Sequence, residues 1–202
     1  MIFSVVVTAF VLVAPVELPD KTMFATLVLA SRFRPLPVLT GVSAAFAVQA
    51  AIAVAAGSLL SLLPGGWVAV SVAVLFAVGA VLLWRSADEG IDDAESEAAS
   101  GAAHTDWPAW RIALASFGVT FLAEWGDLSQ LATAGLAARF DAPVSVFVGS
   151  FAALFLIASL AVFVGAKLVA RLPIRLVRRT AAVLFAVFAV LAGYEAVAAF
   201  TR

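Results

Sequence analysis

The sequence predicts an all-α membrane protein with six transmembrane helices arranged as two inverted three-helix repeats. The first and fourth helices are expected to be kinked or broken at mid-membrane. Three observations predict this. Of 202 residues, 64% are hydrophobic and 12% charged, against about 45–50% apolar in soluble domains. The apolar residues run in stretches long enough to cross roughly 30 Å of hydrocarbon at about 1.5 Å per residue. A short motif of acids and hydroxyls occurs twice, each time deep inside such a stretch.

The expected helices lie near 3–31, 36–62, 66–85, 110–138, 143–170 and 177–199. Prolines and glycines mark the breaks between them. Pro35 and Pro37 restart the chain after Arg32-Phe33-Arg34, Pro64-Gly65-Gly66 turns it, and Pro143 and Pro173 open the later connections. Residues 86–109 form the one sizeable polar stretch, rich in Asp and Glu, and read as a solvated linker with His104 inside it. The chain thus divides into a first repeat (1–85), an acidic cytoplasmic linker (86–109) and a second repeat (110–202). Residues 1–16 lack a basic start, and Glu17 stands where a cleavage site would need small residues, so this segment is expected to stay in the fold.

Basic residues set the orientation. With six spans, nine of the twelve (Arg32, Arg34, Arg85, Arg111, Lys167, Arg171, Arg175, Arg178 and Arg179) fall on one side. Arg139 and Arg202 fall on the other, and Lys21 lies within a span. The positive-inside rule then puts the linker in the cytoplasm and both termini outside a cell or inner membrane.

Glu17-Leu18-Pro19-Asp20-Lys21-Thr22 and Glu124-Trp125-Gly126-Asp127-Leu128-Ser129 align at an offset of 107, which also superposes Thr26 on Thr133 and Arg32 on Arg139. Ala73–Val78 recurs as Ala182–Val187 at offset 109. Each half contributes three spans. Three is odd, so the second copy must cross in the opposite sense, an arrangement that places substrate sites where the repeats meet.

Glu17, Asp20, Glu124 and Asp127 are the candidate ligands. Residues three apart share a helix face, so each Glu–Asp pair points one way. A charge at mid-bilayer costs roughly 2.5–3.5 kcal/mol on insertion scales, and no packing role requires four of them. They are expected to surround something positive, to hydrate a cavity, or to carry protons part of the time. A tilt, kink or break is expected near the motif, supplied by Pro15 and Pro19 in the first copy and by Gly126 in the second, freeing carbonyls there. Thr22, Ser129 and Gln130 add further hard oxygen donors, and Lys21 reads either as a tethered charge balancing an empty site or as a salt-bridge partner. Such a donor set suits Mn²⁺, Ca²⁺ or Mg²⁺. Gln130 also reads as an interhelical hydrogen-bonding residue, as does Gln49, while Glu195 reads as a solvated interfacial acid.

Composition excludes other classes. The chain has no cysteine and one histidine, so neither thiol chemistry nor a His cluster is available. A net charge of −1 with no basic-aromatic patch gives no nucleic-acid surface. An amino-acid exporter would need groups for an ammonium and a carboxylate together, whereas the motif offers mostly acids. An intramembrane aspartyl hydrolase would need only a dyad, which Asp20 and Asp127 could form, and four clustered acids exceed that need.

The doubled motif resembles the signature of the GDT family of cation/proton antiporters, Glu-x-Gly-Asp-[Lys/Arg]-[Ser/Thr] once per half, within the lysine-exporter superfamily. Glu17, Asp20, Lys21 and Thr22 match the first copy; Glu124, Gly126, Asp127, Ser129 and the following Gln130 match the second. The resemblance implies a non-enzymatic carrier exchanging Mn²⁺ or Ca²⁺ for protons, with the motif acids binding the ion and no prosthetic group. Two positions depart from the pattern: Pro19 replaces the first glycine, and Leu128 replaces the second basic residue.

Overall fold

The structure, a computed structural model, describes residues 1–18, 21–86, 107–169 and 174–201, with the backbone alone at 21, 22, 24, 31, 86, 164–169, 174 and 175. The acidic stretch 87–106, including His104, lies outside the described residues. Every regular element described is helical: α1 (Phe3–Glu17), α2 (Lys21–Arg32), α3 (Pro35–Leu60), α4 (Gly65–Ser86), α5 (Ala109–Ala123), α6 (Leu128–Arg139), α7 (Pro143–Val169) and α8 (Ile174–Phe200).

Local chemistry accounts for the ends. Arg34, in extended conformation, caps α3 with Pro35 at its first position, where a missing N–H is harmless. Pro108 does the same ahead of α5. Among the described residues, four helical segments are long and apolar enough to cross a membrane: Pro35–Leu60, Gly65–Arg85, Pro143–Phe163 and Leu176–Phe200. α1 and α5 are apolar but have 15 residues each, followed after a break by helices of 12. The long helices expected at 3–31 and 110–138 are therefore each two shorter ones, broken at the motif. Pro15 sits inside α1 without ending it, because the helix continues to Glu17.

Hydrophobic residues lie outside as well as inside. Phe3, Val7 and Val11 are exposed on α1 while Val5, Ala9, Leu12, Val13 and Val16 are buried. An apolar helix with no polar face is the pattern of a segment solvated by lipid. Small residues let backbones approach. A Cβ on Gly41 would lie 2.1 Å from the Ala113 carbonyl oxygen, and one on Gly149 would lie 2.3 Å from that of Val6. Such glycine contacts drive helix association where lipid removes the hydrophobic driving force.

The packing has an internal correspondence. Gly41 and Gly149 are 108 residues apart, and so nearly are their partners Val6 and Ala113 (107). Exchanging α1–α4 with α5–α8 turns the α3–α5 contact into α7–α1, α3–α6 into α7–α2, α1–α6 into α5–α2, and α2–α3 into α6–α7; all of these contacts are present. α3 also packs on α7 and α4 on α8, each with its own counterpart. Phe76 and Phe185, equivalent at offset 109, meet edge to face with centroids 5.2 Å apart in the core. Contacts of α4 with α6 and of α1 with α8 depart from the exchange.

Candidate metal site

The breaks lie side by side, because α1 packs on α6 and α2 on α5. Glu17 is the last residue of α1 and Glu124 the C-cap of α5; each is 1% exposed. Asp127 is the N-cap of α6, extended in backbone, with its Oδ2 accepting a hydrogen bond from the Ser129 N–H at 3.3 Å. Aspartate serves well in this position because its side chain satisfies an amide the helix leaves open. Between the two helices Gly126 adopts φ +81°, a left-handed turn that other residues enter at a cost of roughly 1–2 kcal/mol.

Carboxylate oxygens of Glu17, Glu124 and Asp127 lie within 4.8 Å of one another. Two of the three acids are fully buried. Two ionised carboxylates at this separation repel by about 3–4 kcal/mol at an effective dielectric near 20, so positive charge or protons placed among them would be favoured. The surrounding backbone is arranged for a cation too. The C-terminal ends of α1 and α5, the negative ends of their dipoles, point at the same place.

Freed carbonyls at the break are held by side-chain amides. Gln49 Nε2 donates to the Phe121 carbonyl at 3.0 Å, so Gln49 joins α3 to α5. Gln130 uses both ends of its amide: Nε2 donates to the Glu124 carbonyl at 2.8 Å and Oε1 accepts from the Gly126 N–H at 3.3 Å. It braces the turn as the third-position partner of an N-cap acid does. The Ser129 carbonyl accepts from Thr133 Oγ1, which also bonds Ser150 Oγ at 3.0 Å.

Of the sequence-predicted residues, the structure brings together Glu17, Glu124 and Asp127, with Ser129 buried beside Asp127. Gln130 is turned to the backbone of the break. Asp20 lies outside the described residues, as do the side chains of Lys21 and Thr22, which open α2. Leu128, at the place of the second basic residue, packs into the core; a Cβ on Gly79 would lie 3.7 Å from its Cδ2. Glu195, read as a solvated interfacial acid, has a side chain 52% exposed and accepts from Arg139 at 2.7 Å, joining α6 to α8. Sequence reading passed over Ser116 and Thr120, buried on α5. Their spacing of four and eight residues before Glu124 was the available signal.

Comparison with known proteins identifies the family. The family model described as "Divalent cation/proton antiporter GDT1" matches residues 5–91 and 112–200, one motif in each segment. "GDT1-like protein sll0615" of Synechocystis is 33% identical over 192 residues, covering 90% of this chain and 93% of that protein. A Vibrio cholerae protein named "Putative manganese exporter" is 31% identical over 194 residues, covering 93% of this chain and 90% of the relative. "GDT1-like protein 3" of Arabidopsis thaliana is 29% identical over 206 residues, covering 94% and 70%. No solved structure matches. With the doubled motif, the paired acids and a family match over nearly its whole length, this membrane protein belongs to the GDT1 family of divalent cation/proton antiporters.

Proposed function

We propose that this protein exports a divalent cation, Mn²⁺ before Ca²⁺, in exchange for protons by alternating access. The observation that carries the reading is the convergence of Glu17, Glu124 and Asp127 within 4.8 Å at two adjoining helix breaks. Hard carboxylate oxygens in this number suit Mn²⁺ or Ca²⁺. Asp20 is the fourth acid of the site, and Thr22 and Ser129 add neutral oxygens. Gln130 fixes the turn and offers the remaining lone pair of Oε1, and Lys21 balances charge when the ion has left. A carboxylate set that binds either a metal or protons couples their movements directly, since ligands must be deprotonated to hold metal.

The membrane architecture in this reading is six spans in two inverted repeats, α1–α2 and α5–α6 each making one broken span at mid-membrane. The exchange of helix contacts and the Phe76–Phe185 pairing support it. The division at the 86–109 linker, with that linker cytoplasmic and both termini outside, follows from the basic residues; the two matched segments support the division. A relative's name, "Putative manganese exporter", supports the choice of Mn²⁺.

The test is growth and metal content of cells with and without the protein across Mn²⁺, Ca²⁺ and Mg²⁺. Protection confined to Mn²⁺, lost with Glu124→Gln, is the expected result. Equal protection by wild type and Glu124→Gln would overturn the site, and protection only against Ca²⁺ would overturn the choice of ion.

A further inference from the structure

α5 carries a polar run that the motif does not include. Ser116, Thr120 and Glu124 are spaced i, i+4, i+8 and share one face of the helix. Ser116 is 0% exposed and Thr120 1% exposed, and neither hydroxyl has a hydrogen-bond partner among the described residues. This is unusual, because a buried Ser or Thr on a helix can bond the carbonyl one turn back, as Thr133 does. α5 packs chiefly on α3. Gly41 touches the Ala113 carbonyl and Gln49 bonds the Phe121 carbonyl, eight residues on along each helix. α3 and α5 therefore run parallel and in register, with Val42, Ala45 and Phe46 buried between the two contacts.

The corresponding face of α1 differs. At offset 107 the residues before Glu17 are Ala9 and Val13, both 0% exposed and without any polar atom in the side chain. Two seams that correspond in packing, α3–α5 and α1–α7, thus differ in chemistry: α5 carries two unpartnered hydroxyls on the way to its glutamate, and the matching positions of α1 carry none.

We propose that the α3–α5 seam is the route by which the divalent cation moves between the acid cluster and the N-terminal side of α5, with Ser116 and Thr120 as its transient oxygen ligands. The proposal rests on the cation-transport reading above. Side chains four apart on a helix stand about 5–6 Å from one another. A hard cation bound at about 2.3–2.6 Å per oxygen fits between two such groups, so it can pass from hydroxyl to hydroxyl to carboxylate over about 12 Å. The route is closed along its length in this structure: Ser116, Thr120 and Ile112 are each 1% exposed or less, and Ala113 abuts Gly41. Basic residues assign that end to the cytoplasm.

The chain has no cysteine, so single-cysteine variants report without background. Ser116→Cys, Thr120→Cys, Ala9→Cys and Val13→Cys are each treated in membrane vesicles with a cationic methanethiosulfonate reagent, with and without Mn²⁺. The seam predicts labelling at 116 and 120 and at least about tenfold slower labelling at 9 and 13, with Mn²⁺ protecting the first two. Failure to label 116 and 120, or equal rates at all four, would overturn it. Labelling of 116 and 120 without protection by Mn²⁺ would uphold the seam as a water-accessible route and count against Mn²⁺ as cargo, so the two readings fail separately. The paired substitution Ser116→Ala/Thr120→Val keeps size and removes both hydroxyls. It should slow Mn²⁺ transport about tenfold without changing Mn²⁺ affinity, with Thr120→Ser alone near wild type. A wild-type rate in the paired variant would show that the hydroxyls only pack, and would overturn their role.

Discussion

Asp127→Asn separates charge from fold. Asparagine caps a helix about as well as aspartate, so the Ser129 N–H keeps its partner and the break should persist. The charge term is large. Asp127 faces Glu17 and Glu124 at 4.8 Å or less, and two ionised pairs at that distance repel by about 7 kcal/mol at an effective dielectric near 20. A dication about 3 Å from the same carboxylate gains about 11 kcal/mol on that scale. The repulsion acts with or without the ion and so bears on metal-free stability, whereas the lost attraction falls on metal affinity and, at about 1.4 kcal/mol per tenfold, abolishes binding at any working concentration. The assay is thermal unfolding of purified protein with and without Mn²⁺. At a concentration about 100 times its Kd, Mn²⁺ adds about 2.7 kcal/mol to the wild type, which for a chain of this size raises Tm by about 5–10 °C. The variant should melt at or above the metal-free wild type and show no Mn²⁺ shift. A variant that retained the shift would refute the assignment of Asp127 to the metal.

Three further outcomes follow from other parts of the structure. Gln130→Met removes two hydrogen bonds, one from the exposed Gly126 N–H and one to the Glu124 carbonyl, which keeps the Asp127 N–H, and should lower stability by about 1–3 kcal/mol, read as a lower Tm before any metal is added. Gly41→Ala and Gly149→Ala each push a Cβ into a facing carbonyl; overpacking of this kind costs about 1–3 kcal/mol, and both variants should melt lower by similar amounts, whereas a silent one would mean its seam is loose. Arg139→Met removes an ion pair whose Glu195 side chain is 52% exposed; pairs of that kind contribute about 0–1 kcal/mol, so Tm should move by less than about 4 °C and Mn²⁺ efflux should persist.

Much of the molecule was legible in the sequence because membrane burial makes rare residues informative. Against Ala, Val and Leu, an acid at mid-stretch stands out, and its recurrence at offset 107 located both helix breaks before any coordinates. Gly126 was readable as the breaking residue, since only its freedom at φ +81° fits the turn. Pro15 lies inside α1 and the helix ends two residues later, packing of Leu12, Val13 and Val16 carrying it as far as Glu17. The bracing role of Gln130 depends on which way an amide turns, and the Arg139–Glu195 pair on two helices distant in sequence meeting. Neither is written in spacing. Ser116 and Thr120 were hidden because hydroxyls are common on membrane helices, and burial without partners on the helix face that leads to Glu124 sets these two apart.

The central claim is that the acids of both motifs form one cation site. Mn²⁺ titration of the purified protein, followed by electron paramagnetic resonance of the free ion, counts such sites and ranks their affinity. The account predicts one tight Mn²⁺ per chain, lost alike in Glu17→Gln and in Glu124→Gln. Two independent sites, each abolished by only one of these substitutions, would contradict it.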